Sequence, residues 1–339
     1  MTTQLLRTKF FLVLFVILFL SSCGMRRNYP LEKQLPEGWT ESNLMFDGLT
    51  RWYRIYTPDP LPENPALVLY LHGGTLSMRS IFSPLVDGTK KWLSLAEQEG
   101  VILLVPNGVS AETGDTYGDD QNWNDLRPDT AAGQTTVDDV GFLMTLLDQI
   151  SVELNIDQDR IYVTGASNGG LMTYRLLIDQ PDRFAAGAVF IANLPAPSED
   201  LPLLGSPTPL LIANGTEDPL MPWDGGMVGK DRGWVISTEE TVTWWVGANQ
   251  ADPAHFISIT FPDINTEDGC RVRMDYYPAG ENGAPVLFYA LLGGGHTMPS
   301  TNQPGLILNL LERILGPVCR EVDGVDLVWD FFQDVSAEP

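Results

Sequence analysis

Five residues, Gly165-Ala166-Ser167-Asn168-Gly169, constrain this chain more than any other stretch. They follow an apolar run, Arg160-Ile161-Tyr162-Val163-Thr164, that reads as a buried strand. They precede Leu171-Met172-Thr173-Tyr174-Arg175-Leu176-Leu177, which reads as a helix. A G-x-S-x-G segment between strand and helix is the setting of a nucleophile elbow, a sharp turn that lifts the serine hydroxyl clear of the sheet. Glycines on either side permit the tight turn and let neighbouring chain approach closely. The same turn leaves the Asn168 amide free to hydrogen-bond an oxyanion. Because G-x-S-x-G is common by chance, an ordinary glycine-flanked turn is the alternative, and the residues elsewhere must decide.

A serine hydroxyl is a poor nucleophile at neutral pH and needs a base, usually a histidine oriented by a carboxylate. The chain has three histidines. His72 ends the apolar run Ala66-Leu67-Val68-Leu69-Tyr70-Leu71, and His255 sits in Asp252-Pro253-Ala254-His255-Phe256, which reads as surface. His296 lies in Gly293-Gly294-Gly295-His296-Thr297-Met298-Pro299, directly after the apolar run Val286–Leu292. A loop just past a late strand is where an α/β-hydrolase places its base, so His296 is the expected base. The acid should fall between serine and histidine. Pro209-Leu210-Leu211-Ile212-Ala213-Asn214 reads as a strand emptying into Gly215-Thr216-Glu217-Asp218-Pro219. Asp218, later in the turn and held by Pro219, is the expected acid, with Glu217 the alternative. His72-Gly73-Gly74-Thr75 matches the loop that supplies a second backbone N–H to an oxyanion hole. Gly74 is the expected donor beside Asn168, with Thr75 the alternative and His72 structural.

The 339 residues suffice for one large α/β domain, and a 44% apolar fraction fits a packed globule rather than disorder. A formal charge of −24 repels phosphate backbones, which argues against a nucleic-acid partner. No C-x-x-C pair or histidine cluster suggests a zinc site, and the chemistry above requires no cofactor. Arg7 and Lys9 precede an unbroken apolar run, Phe10 to Leu20, then Ser21-Ser22-Cys23-Gly24. That run is short for a membrane span and reads as a signal peptide. Leucine three before a cysteine resembles a bacterial lipobox, so residues 1–22 are expected to be removed and Cys23 to be lipidated. The anchor would hold the protein in the cell envelope; a plain secretory signal is the alternative. Cys270 and Cys319 then remain, an even number consistent with one disulfide in an exported chain, or with two buried thiols.

Residues 23–44 are polar and proline-bearing and read as a tether, with the catalytic domain at 45–335. Strands are expected at 51–56, 66–72, 101–106, 160–164, 186–191, 209–214 and 286–292. Helices are expected at 92–98, 137–154, 170–179, 238–246 and 306–315. Their alternation implies a mostly parallel central sheet with helices on both faces. Residues 110–136 read as a loop, and no second or cap domain is evident. Thr136-Val137-Asp138-Asp139 looks like a capped helix start, making both aspartates caps first. Ligands of such sheets bind beyond the carboxyl ends of the strands. Trp123 and Trp223 follow strands there and could stack on a sugar or an aromatic acyl group, or simply pack.

With those residues in hand, the chain resembles the secreted α/β-hydrolase esterases grouped with polyhydroxybutyrate depolymerases and feruloyl or acetylxylan esterases. The similar segments are Leu71-His72-Gly73-Gly74, Asn122-Trp123-Asn124, Val137-Asp138-Asp139-Val140-Gly141-Phe142-Leu143, the serine elbow, Asn214-Gly215-Thr216-Glu217-Asp218-Pro219, Gly293–Pro299 and Val328-Trp329-Asp330-Phe331-Phe332. The resemblance implies Ser167 as nucleophile, Asp218 as acid and His296 as base. It implies feruloyl or acetyl esters of polysaccharide fragments, or hydroxyalkanoate oligomers, as substrates. The family usually has tryptophan where Met298 stands and histidine where Asn214 stands, which bears on substrate preference. Family members that attack solid polyester often carry an extra binding domain, and without one the expectation leans toward small or oligomeric esters. The rival readings are a serine peptidase of the same fold and a carbohydrate-binding lipoprotein without catalysis.

Overall fold

Runs that are apolar on both faces become the middle of a sheet. In a computed structural model covering residues 35–82, 89–197, 201–202, 204–302 and 306–337, the segments LVLYL, ILLVP and AGAVF are buried at every position. That is the pattern of parallel strands covered on both sides. In chain order the elements are β1 (Trp39–Phe46), β2 (Leu49–Tyr56), β3 (Leu67–Leu71), α1 (Thr89–Glu99), β4 (Ile102–Pro106), α2 (Asp139–Leu154), β5 (Ile161–Ala166), α3 (Asn168–Asp179), β6 (Ala186–Phe190), β7 (Leu210–Gly215), a short hairpin of β8 (Gly226–Met227) and β9 (Trp234–Val235), α4 (Thr238–Ala248), β10 (Ile257–Thr260), β11 (Arg271–Tyr277), β12 (Val286–Leu292), α5 (Leu306–Leu315) and α6 (Gly324–Ala337).

Ten strands form one sheet in the order β1-β2-β4-β3-β5-β6-β7-β12-β11-β10. The inner six, β4 to β12, run parallel, and antiparallel strands flank them on both sides. Helices line the sheet: α1 packs on β4, α3 on β3, β5 and β6, α4 on β12, and α6 on β6. This is the α/β-hydrolase fold. Every expected strand and helix is present, with ends shifted by a few residues. The chain divides into Met1–Glu37 and Gly38–Pro339. The signal peptide and Cys23 lie outside the described residues. Among those described, no helix is long and apolar enough to cross a membrane.

The structure corrects two expectations. The tether does not extend to residue 44, because Trp39–Phe46 pairs with β2 along its whole length. Asp139 is not a cap. Asp138 does the capping, accepting from the Gly141 amide at 2.8 Å. Asp139 turns inward and pairs with Arg51 at 2.6 Å, both side chains 1% exposed. The Arg51 guanidinium also lies 3.9 Å over the Phe142 ring. Burial pushes the Asp139 carboxyl upward, against the pull of Arg51. The pair and the Asn124 amide, which donates to Asp139 at 2.8 Å, fasten the loop after β4 to α2.

Candidate active site

Loops leaving the carboxyl ends of β3, β5, β7 and β12 bring the expected residues together. Ser167 stands between β5 and α3 at φ 56° and ψ −122°, a backbone conformation costly for any side chain and held by its surroundings. Its amide donates to Phe190 O at 2.9 Å. The flanking glycines answer a different demand. A Cβ on Gly165 would sit 2.4 Å from Gly169 O, and one on Gly169 would sit 2.2 Å from Leu71 O. They let chain cross chain, while the strained angle belongs to the serine.

Asp218 Oδ2 lies 2.7 Å from His296 Nδ1. Its Oδ1 accepts from the amides of Leu220 and Met221, both at 2.8 Å. Nδ1 is therefore committed to Asp218, and Nε2 is the ring nitrogen left for other partners. The His296 loop is itself fastened: the amides of Gly295 and His296 donate to Pro317 O and Leu315 O, and the Ser300 amide donates to Cys319 O. Cys319 is bonded to Cys270, with the Cα atoms 5.2 Å apart. Glu217 is exposed, and its amide, not its carboxylate, meets this loop, through Gly294 O.

His72 is buried and neutral. Its Nδ1 pairs with Gly73 O at 2.8 Å and its Nε2 accepts from the Gly108 amide at 3.0 Å. Burial pushes its pKa down to about 4. It braces the loop that carries Gly74. The Thr75 amide is committed to Gln121 O at 2.9 Å, which removes the alternative oxyanion donor. The Gly74 amide has no hydrogen-bond partner among the described residues. Asn168 opens α3, so its amide lies in the helical turn where N–H groups lack intrahelical partners.

A cavity of about 250 Å³ lies over these groups, lined by Ser167, His296, Gly74, Asn168, Leu220 and Val228, with Arg127 and Arg232 also on its wall. The arginines come from segments that carried no signal in the sequence. Arg127 sits inside the aperiodic stretch after β4, where only its spacing from Asp125 could have suggested a pair. Ser167 makes no hydrogen bond to His296 among the described contacts; both face the same space. Such bonds are often long before a substrate is seated.

Trp123 is a correction. Trp123 is 0% exposed, donates its Nε1–H to His72 O at 2.9 Å and packs on the His72 ring. An indole with no free face cannot stack on a ligand. Trp223 packs on Phe288, with ring centroids 6.0 Å apart, and lies outside the cavity wall.

The prolyl oligopeptidase family (Peptidase_S9) matches residues 89–193, the part that contains the serine elbow. A Nocardia uniformis subsp. tsuyamanensis protein assigned as esterase NocK is 28% identical over 92% of this chain and 88% of its own length. A protein assigned as feruloyl esterase C in Aspergillus niger is 27% identical over 76% of this chain and 80% of its own. Poly(3-hydroxybutyrate) depolymerase of Ralstonia pickettii is 26% identical over 79% of this chain and 51% of its own. Over most of its length the chain is thus similar to esterases, and its fold is the α/β-hydrolase fold.

The two positions at which the sequence departs from the pattern of the family it resembles, Asn214 and Met298, lie off the cavity wall. Asn214 is buried, accepting from the Ala192 amide at 3.0 Å and donating to Asn193 Oδ1 at 2.8 Å. It ties β7 to the loop after β6. Met298 packs near the start of α6, close to Gly324. The one cluster of described residues with metal-ligating spacing, Cys270, Cys319 and Glu321, has both sulfurs in a disulfide.

Proposed function

We propose that the chain hydrolyses esters through Ser167, His296 and Asp218 by way of an acyl-enzyme. This reading stands on one arrangement: His296 bonded to Asp218 through Nδ1 at 2.7 Å, with its other face on the cavity that Ser167 also lines. His296 Nε2 takes the Ser167 proton as Oγ attacks the ester carbonyl. The amides of Asn168 and Gly74 receive the developing oxyanion, which they can stabilise without reorganising. His296 then protonates the leaving alcohol, activates a water and restores the serine. Asp218 holds the imidazole in the productive tautomer and stabilises the imidazolium. No cofactor is needed.

Feruloyl or acetyl esters of polysaccharide fragments, or hydroxyalkanoate oligomers, are the substrates in this reading, and Cys23 is its lipid anchor to the cell envelope. The match to the prolyl oligopeptidase family favours a second reading, a serine peptidase with the same three residues. A carbohydrate-binding lipoprotein without catalysis is weakened, because Trp123, one of its two stacking residues, is buried. The test compares p-nitrophenyl acetate, methyl ferulate and a matched p-nitroanilide on parent protein and on Ser167→Ala. Ester turnover in the parent and a loss of about 10⁶-fold in the variant are expected. Faster anilide than ester turnover would favour the peptidase, and turnover unaffected by Ser167→Ala would overturn the mechanism.

A further inference from the structure

Resting on the reading above, we propose that the Asn168 side chain, gripped by Trp123 and the buried Asp125–Arg127 pair, is the positioning element that aims the Asn168 amide at the oxyanion. The amide and the side chain of this one residue have separate tasks. The amide opens α3 and carries no intrahelical load. Three of the four hydrogen bonds open to the side chain are made. Its Oδ1 accepts from the Trp123 amide at 2.8 Å, and its Nδ2 donates to Trp123 O at 3.1 Å and to Asp125 Oδ2 at 2.7 Å. With both of its donors committed, its contribution runs through the backbone it fixes.

The far end of the grip is stiff. The Asp125 side chain is 0% exposed. Its Oδ1 accepts from the Arg127 amide at 2.9 Å and from Arg127 Nε at 3.1 Å, and its Oδ2 accepts from Arg127 Nη2 at 2.7 Å. Arg127 in turn donates through Nη1 to Arg232 O across the cavity wall. A forked guanidinium on a carboxylate fixes orientation as well as charge. Trp123 extends the brace to the other half of the oxyanion site, because its indole N–H holds His72 O, two residues before Gly74. The two proposed donors are thus referenced to one short segment, residues 123–125. Oxyanion donors act only when held close to the position the charge will occupy. A helix end with its first side chain cut loose would lose that aim while keeping its amide.

The experiment uses the whole chain and four variants: Ser167→Ala, Asn168→Ala, Asp125→Asn and the Asn168→Ala/Asp125→Asn double. Asn168→Ala keeps the backbone amide and removes the grip. Its kcat for p-nitrophenyl acetate should fall about 10- to 100-fold, short of the full loss of one donor, with KM within twofold of the parent. Affinity for phenylboronic acid, which mimics the tetrahedral intermediate, should fall in parallel with kcat/KM. Because Asp125 acts through Asn168, the double variant should be no slower than Asn168→Ala. A kcat of Asn168→Ala within twofold of the parent, boronate affinity unchanged, or losses that multiply in the double variant would overturn the proposal. Should Asp125→Asn fail to accumulate as folded protein, Asn168→Ala decides alone through its kcat, KM and boronate affinity. Turnover undiminished in Ser167→Ala would instead overturn the esterase mechanism, whatever position 168 does.

Discussion

Asp218 and His296 come from loops 78 residues apart, yet their Oδ2 and Nδ1 atoms meet at 2.7 Å with the Asp218 side chain 1% exposed. Both Asp218 oxygens are engaged, so replacing the carboxylate with an amide removes an acceptor that nothing nearby can replace. Asp218→Asn should lower kcat for p-nitrophenyl acetate by about 10⁴-fold, since the imidazole would then be held in the wrong tautomer. Glu217→Gln, one residue away and exposed, should stay within twofold. Comparable losses in the two variants would reassign the acid.

His72 has a different relation to protons. Its pKa is lowered to about 4 from an unfolded value of 6.5, through burial. Between those values the unfolded chain binds a proton that the folded chain refuses, so stability rises with pH. The full effect, about 3 kcal/mol by the free energy of a pKa shift, is present above pH 6.5 and gone by about pH 4. Urea unfolding of the parent at pH 7 and pH 4.5 should show this drop. His72→Gln should flatten it, and an unchanged slope would assign the acid sensitivity to other groups.

Trp123→Phe should cost about 1–3 kcal/mol of stability, because His72 O would be left buried without its donor. KM for methyl ferulate should remain within twofold. A large rise in KM with stability intact would return Trp123 to the substrate site.

What the sequence disclosed followed from how local each signal is. The serine elbow, the Asp218 turn and the His296 loop each announce themselves by glycines or proline directly after an apolar run, and all three meet in the structure. β1 was hidden because this edge strand, WTESNLMF, is half polar and buries only Trp39. β10 was hidden because all four of its residues are exposed. Trp123 was misjudged because position after a strand fixes which end of the sheet a residue occupies but not whether its side chain faces solvent. The Asp125–Asn168 contact bridges 43 residues and no local pattern encodes it. Asp139 looked like one of two adjacent caps until a partner 88 residues away, Arg51, drew it inward.

The bond between Cys270 and Cys319 closes a covalent ring around β11, β12 and the His296 loop. The proposed base therefore lies inside the ring, while the nucleophile and the acid lie on the chain before it. A protease that cuts once between residues 271 and 318 makes two peptides that cannot part. The nicked protein keeps its mass on a non-reducing gel and can hold His296 beside Asp218 until a reductant lets the fragments go.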